Sequence, residues 1–380
     1  MDPSLLVIVV IVTALAFDFT NGFHDTANAM ATSIATGALR PRVAVALAAV
    51  LNLVGAFLSV EVAKTISGGI VDETRISPAI VFGGLIGAIV WNLVTWYLGL
   101  PSSSSHALFG GLIGAAWIAS GTGAVHFGKI VEKVLVPAVA SPLVAGLIAM
   151  LATALTYRLT RSADRRVVTK GFRIGQVVSA GLVSLAHGTN DAQKTMGVIT
   201  LTLISSGMLH AGAAPPTWVI ISAGTAIALG TYFGGGRITH TLGKGLTTIE
   251  SPQGFAAQTS AATVILASSH LGFALSTTHV SSGGILGSGL GRRLTAIRWS
   301  VAGRMALAWV VTLPAAAVVG ALAGRTASAG AVGVVVVAVV GVAVAAGIYV
   351  ASRRRPVAIE AVSEDVALKT EPLPTAQAAA

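Results

Sequence analysis

The sequence predicts an all-α polytopic membrane protein, with two inverted repeats whose broken or re-entrant helices meet at a site near the bilayer midplane. Three observations lead there. Of the 380 residues, 54% are hydrophobic and 10% charged, whereas a soluble globular domain carries about a quarter charged residues. Apolar segments of helical length recur along the whole chain. Two kinds of polar motif lie within or beside those segments, and each kind occurs twice in the same order.

The first apolar run, Leu5–Ala16, is interrupted only by Thr13. As a helix it rises about 18 Å, short of a hydrocarbon core of roughly 30 Å. The residues after Ala16 must therefore complete the crossing or turn back as a hairpin. Met1-Asp2 gives no positive n-region and no small-residue cleavage site precedes Phe17, so a cleavable signal peptide is not expected. Apolar segments come next at about 43–63, 79–99, 107–120 and 131–157. The stretch RLTRSADRRVVTKGFR at 158–173 is hydrophilic and basic, with Asp164 its one acid, which places it in the cytoplasm. Apolar segments resume at about 174–187, 192–208, 217–234, 255–273, 280–291, 300–323 and 330–351, while 237–250 is mixed and suits the interface. The chain thus divides into a first transmembrane repeat (1–157), a basic cytoplasmic linker (158–173), a second repeat (174–323), an additional C-terminal helix (324–351) and a disordered, Ala/Pro-rich tail (352–380).

Composition excludes several classes. A net charge of +10 raises nucleic acid as a partner. However, the basic residues cluster at the ends of apolar runs (Arg40/Arg42, Arg158 to Arg173, Arg292/Arg293/Arg298, Arg353 to Arg355) in the positive-inside pattern. No nucleic-acid partner is expected. Cysteine is absent, which removes disulfides, thiol catalysis and Cys-ligated metals. The 44 glycines suit close helix approach and helix breaks beside a cavity.

The duplication carries most of the information. NGFHDTAN (21–28) stands against HGTNDAQK (187–194), pairing Gly22 with Gly188 and Asp25 with Asp191. GLPSSSSH (99–106) stands against GFALSTTH (272–279), pairing Gly99 with Gly272, Ser103 with Ser276 and His106 with His279. Ser104 and Ser105 then face Thr277 and Thr278. This is the layout of a repeat-built secondary transporter with its site between the repeats. Inversion is inferred from that architecture rather than from a count of crossings.

Asp25 and Asp191 are costly in lipid, so they face a polar cavity or hold a cation or proton, and are the candidate coupling residues. The runs Ser102–Ser105 and Ser276–Thr278 precede segments of helical length. Hydroxyls beside the free N–H groups of a helix start suit a tetrahedral oxyanion, although ordinary N-capping uses the same residues. His24, His106, His187 and His279 sit in or beside these motifs as donors to an oxyanion or to a carbonyl. Asn21 and Asn190 are further supporting candidates. Asn28 is replaced by Lys194 in the second copy, and a lysine at membrane depth needs a partner: Asp191, three residues earlier, the anion, or the place of a cation. Two carboxylates repel an oxyanion until protons or cations neutralise them, which makes the two occupancies cooperative.

FDFTNGFHDTANAMAT (17–32), SLAHGTNDAQKTMGV (184–198), LPSSSSHALFGGLIG (100–114) and LSTTHVSSGGILG (275–287) resemble the inorganic phosphate transporters known as the Pit family. The resemblance covers most of 5–323, and the HGTNDAQK form is similar to the bacterial branch. It implies a multi-pass protein of the inner (plasma) membrane that is a cation-coupled phosphate symporter with inverted repeats, working by alternating access. Phosphate would be held by Asp25, Asn28, Asp191, Lys194, Ser103, Ser104, Ser105, Ser276, Thr277 and Thr278. It further implies proton coupling, with phosphate taken as a neutral complex with Mg2+ or another divalent metal. Sodium is the alternative coupling ion, and Lys194 departs from the Asn of the sodium-coupled branch. No permanent cofactor is expected. The partners are phosphate, the coupling cation and the lipid bilayer, with a homo-oligomer left open. The rival readings are a sulfate or other oxyanion permease, a divalent-metal transporter using the histidines and aspartates, and an intramembrane serine hydrolase. The last requires a positioned nucleophile–base pair, which sequence adjacency does not supply.

Overall fold

The computed structural model describes residues 2–234, 236–292, 297–355 and 357. Its regular elements are helices, with only two isolated bridges, Val71 to Val125 and Thr247 to Ile297, between extended residues. Most of the expected tail, 358–380, lies outside the described residues.

Helix α1 runs Pro3–Ala35 without a break. The Asp2 carboxylate caps it by accepting from the Ser4 N–H at 2.8 Å, and Pro3 occupies the first turn, where its missing N–H costs nothing. The first apolar run is therefore completed by the polar motif after it, with no hairpin. Helices α2 (Pro41–Gly55) and α3 (Glu61–Gly69) come next, then α4 (Pro78–Tyr97) and α5 (Ser104–Ser120), which are separated by a turn. Short α6 (Phe127–Ile130) leads through a wide turn, Val131–Leu135, into α7 (Val136–Leu159).

The second half has the same element order. Helix α8 (Arg165–Ser205) matches α1, α9 (Thr217–Phe233) matches α2, and α10 (Gly236–His240) with the wide turn Thr241–Gly245 matches α3. Next come α11 (Ser251–His270) and α12 (Thr277–Arg292), again joined by a turn, and then α13 (Trp299–Ala327). Helix α14 (Ala331–Arg353) packs on α4 and α13.

Two expectations change. Residues 165–173 form the first turns of α8, because Asp164 caps the helix by accepting from the N–H groups of Arg166 (2.7 Å) and Val167 (3.2 Å). The non-helical connection shrinks to 160–164. The start of the expected tail is also ordered, since the Arg237 guanidinium donates to the carbonyls of Ser352 (3.1 Å) and Arg355.

The halves exchange partners. Helix α5 packs against α13 and α12 against α7, while α1 packs against α9 and α8 against α2. Glycines permit this. A Cβ on Gly22 would strike the Ile227 carbonyl of α9, and one on Gly188 would strike Asn52 of α2. Gly287 meets Gly146, and Gly87 meets Gly320, backbone to backbone. The turns before α5 and α12 each contain a glycine in the left-handed region, Gly99 (φ 65°) and Gly272 (φ 71°), where a side chain would be strained.

Five helices are long and apolar enough to cross a membrane among the described residues: Pro3–Ala35, Pro78–Tyr97, Phe127–Leu159, Trp299–Ala327 and Ala331–Arg353. On α7, Leu143, Leu147, Leu151 and Leu155 recur on one exposed face. In a bilayer that face meets lipid rather than water.

Candidate substrate site

Helices α1 and α8 carry polar faces through the middle of the molecule. Asp18, Asn21, Asp25 and Asn28 recur at i, i+3, i+7 and i+10, and so line one side of α1. Ser184, His187, Asp191 and Lys194 do the same on α8. All eight are buried. Helices α5 and α12 bring their N-termini to these faces, each with unpaired backbone N–H groups and the positive end of its dipole.

The contacts obey the duplication. Ser104 donates to Asp25 Oδ2 (3.2 Å), and its counterpart Thr277 donates to Asp191 Oδ2 (3.1 Å). Thr278 crosses between halves to donate to Asp25 Oδ1 (3.3 Å). Asn28 reaches the opposite hydroxyl run, donating to Thr278 (3.0 Å) and Thr277 (3.4 Å). Lys194 reaches the other run in the same way, donating to Ser105 Oγ (2.6 Å) and the Leu275 carbonyl (2.9 Å). Its ammonium also pairs with Asp191 Oδ1. Of the alternatives that the sequence leaves for Lys194, the structure shows the Asp191 partner.

The expected set separates into two groups. Asp25, Asn28, Ser104, Ser105, Asp191, Lys194, Thr277 and Thr278 form one connected cluster. Ser103 and Ser276 instead act as caps, accepting from the N–H groups of His106 (3.1 Å) and His279 (3.2 Å). For that pair the N-capping alternative describes the contact that is made.

The supporting residues divide as well. His24 Nδ1 lies 2.5 Å from Asp25 Oδ1, and His187 Nε2 lies 3.1 Å from Asp191 Oδ2 without hydrogen-bond alignment. Asn21 donates to Asp191 (3.4 Å), whereas Asn190 turns away to Ser269 (2.9 Å) and the Phe273 carbonyl (3.3 Å). His106 and His279 stack on each other with centroids 4.9 Å apart, and His279 packs on Trp309 at 4.2 Å. Pro142 cannot donate to the carbonyl of residue 138, and the carbonyl so freed lies 3.2 Å from His279 Nδ1. That contact is structural.

Several contributors lie outside the set of residues expected to hold the substrate. Asn52 Oδ1 accepts from His187 Nδ1 (3.2 Å), and its Nδ2 donates to Thr231 Oγ1 (2.7 Å). Thr95 and Ser102 lie 3.3 and 3.4 Å from His24 Nε2. The signal for Asn52 and Thr95 was a polar residue well inside an apolar helix, joined by Asn92 in the case of Thr95. The Leu275 carbonyl left no trace in side-chain chemistry. Ligand atoms of Asp25, His187 and Asp191 all lie within 4.8 Å of one another, close enough to share a cation.

The model of the phosphate transporter family matches residues 21–320, which include every residue of this cluster. The chain belongs to the phosphate transporter family. It is a multi-pass membrane transporter and not an enzyme, as the sequence predicts. A "Probable low-affinity inorganic phosphate transporter" of Mycobacterium bovis is 60% identical over 317 residues, covering 83% of this chain and 76% of that one. Proteins of the same description from Rhizobium meliloti (44% identical, 85% of this chain and 97% of that one) and Bacillus subtilis (42%, 84% and 96%) are also similar. Among solved structures, "The sodium-dependent phosphate transporter" superposes with a TM-score of 0.75 over 84% of this chain and 98% of that one. At 24% identity that likeness shows the fold.

Proposed function

We propose that this family member carries inorganic phosphate across the plasma membrane in symport with a proton, by alternating access between two inverted repeats, 1–157 and 174–323. One observation carries this reading. Two carboxylates, Asp25 and Asp191, are met by hydroxyls from two helix N-termini, with Lys194 joining Asp191 to Ser105. A phosphate entering this cluster takes over hydrogen bonds that the hydroxyls now give to the carboxylates. Ser104, Ser105, Thr277, Thr278, Asn28 and Lys194 donate to its oxygens. Asp25 and Asp191 accept from its P–OH groups. Sulfate has no proton to offer near neutral pH and leaves both carboxylates opposed to an anion, which is why phosphate is favoured.

The mutual exchange of α5 and α12 between the halves supports a twofold relation between the repeats. The proximity of Asp25, His187 and Asp191 supports a divalent cation such as Mg2+ travelling with the phosphate. Lys194 fills part of the site with a fixed positive charge, which favours a proton over sodium as the driving ion.

The test is phosphate uptake into liposomes with the proton, sodium and magnesium gradients imposed one at a time, and with sulfate as competitor. Uptake is expected to follow the proton gradient and to resist sulfate. Asp25→Asn and Asp191→Asn are each expected to reduce driven uptake to the level of empty liposomes while the protein still elutes as a folded species. Sodium-driven uptake indifferent to pH, or normal uptake by either variant, overturns the reading.

A further inference from the structure

Asp18 is the carboxylate that the cluster leaves over. It is fully buried in α1, and neither of its oxygens has a hydrogen-bond partner among the described residues. The contrast with Asp25 and Asp191 is sharp. Asp25 receives Ser104 and Thr278 and lies against His24. Asp191 receives Thr277, Asn21 and the Lys194 ammonium. An ionised carboxylate in an apolar interior costs several kcal/mol unless donors or a cation compensate it. Asp25 and Asp191 have close donors or a paired cation, whereas Asp18 has only Thr195, Asn21 and the Lys194 charge acting on it from beyond hydrogen-bond geometry.

The surroundings of Asp18 are sparse. The charged groups acting on it are Asp191 and Lys194 of α8, and its polar neighbours are Thr195 and Asn21. Thr195 Oγ1 and Asn21 Oδ1 are themselves buried without partners. The buried faces of α2, α4 and α9, which also pack on α1, carry no ionisable side chain. Helices α5 and α12 present His106 and His279, which stack on each other. On α1 itself, His24 and Asp25 pair together. Asn21 stands between Asp18 and Asp191, and no hydrogen bond joins the two carboxylates. At the matching position of the second half stands Ser184, whose hydroxyl bonds to the Ala180 carbonyl at 2.8 Å. The acid is therefore peculiar to the first half and is not required by the helix packing that both halves share.

We infer that Asp18 is the proton-carrying residue of the transport cycle, about two turns along α1 from Asp25 of the phosphate cluster. The inference rests on the proton-coupled reading above and assigns the proton to a group outside the phosphate contacts. On the entry side a hydronium ion gives one proton to a carboxylate oxygen of Asp18, its O–H bond breaking as the Asp18 O–H bond forms, and on the exit side that bond breaks as a water molecule takes the proton. Counting charges, ionised Asp18 with Asp25, Asp191 and Lys194 sums to about −2, and protonation brings this to about −1. An incoming phosphate anion meets less repulsion in the protonated state, so proton and phosphate bind cooperatively.

The experiment compares wild type, Asp18→Asn and Asp18→Glu in liposomes, measuring driven phosphate uptake and phosphate–phosphate exchange at equal concentrations on both sides. Asp18→Asn is expected to exchange phosphate while losing acceleration by an inward proton gradient, and Asp18→Glu is expected to keep that acceleration. Infrared spectra give a second readout at neutral pH: a protonated carboxylic C=O band present in wild type, absent in Asp18→Asn and displaced in Asp18→Glu. The Asp18→Glu displacement can be read even if Asp18→Asn does not fold. A proton-accelerated Asp18→Asn, or a band that does not move in Asp18→Glu, overturns the assignment while leaving proton-coupled transport intact. Wild-type uptake that ignores the proton gradient overturns both.

Discussion

Lys194 shows how one side chain distinguishes two otherwise matched halves. Where Asn28 gives two neutral hydrogen bonds to the opposite hydroxyl run, Lys194 gives a charged one to Ser105, another to a backbone carbonyl, and pairs with Asp191. Removing one partner of a buried ion pair leaves the other charge uncompensated, at a cost of about 3–5 kcal/mol. Lys194→Asn is therefore expected to lower the thermal midpoint of the detergent-solubilised protein and to make uptake respond to sodium, since the vacated space beside Asp191 suits a small cation. Unchanged ion dependence would make Lys194 purely structural. The sequence makes the carboxylates, the lysine and the hydroxyl runs legible, because polar groups in apolar segments stand out. It does not reveal that Ser103 and Ser276 spend their oxygens on backbone N–H groups, because a cap and a ligand draw on the same residues.

Helix α8 illustrates the limits of reading elements from composition. Its apolar stretches at 174–187 and 192–208 look like two segments with a basic linker before them, yet residues 165–205 form a single helix. The polar motif does not break the helix because its side chains find partners on α5, α11 and α12. The actual breaks fall at Gly99 and Gly272, where the chain adopts a left-handed conformation before α5 and α12. Close approach of α8 to α2 depends on Gly188, where a side chain would meet the backbone of Asn52. Gly188→Leu is expected to separate the two helices at a cost of about 1–3 kcal/mol. The check is a lower unfolding midpoint and reduced yield of folded protein, with Gly171→Leu as control, because a Cβ there meets nothing.

The whole molecule encloses its site. Asp25, Asp191, Lys194 and the hydroxyls are all buried, and Asn28 at 6% is the most exposed member of the connected cluster. Transport then requires the halves to move relative to one another. The absence of native cysteine makes labelling clean. A single cysteine at Asn28 is expected to react with a membrane-impermeant thiol reagent slowly, and more slowly still when phosphate is added. Labelling at a rate typical of a surface cysteine, indifferent to phosphate, would show that the cluster is not enclosed.

The amino-acid sequence by itself determined the membrane class, the duplication and the two aspartate motifs. These are matters of residue type and spacing: charge is scarce in lipid, so each buried charge is conspicuous. Only the tertiary structure decided which hydroxyl answers which carboxylate, that Thr278 serves Asp25 across the halves, and that Asp18 lacks the close donors given to Asp25 and Asp191. Those facts depend on how α5 and α12 are exchanged between repeats, and contacts between residues hundreds of positions apart leave no local pattern for the chain to display.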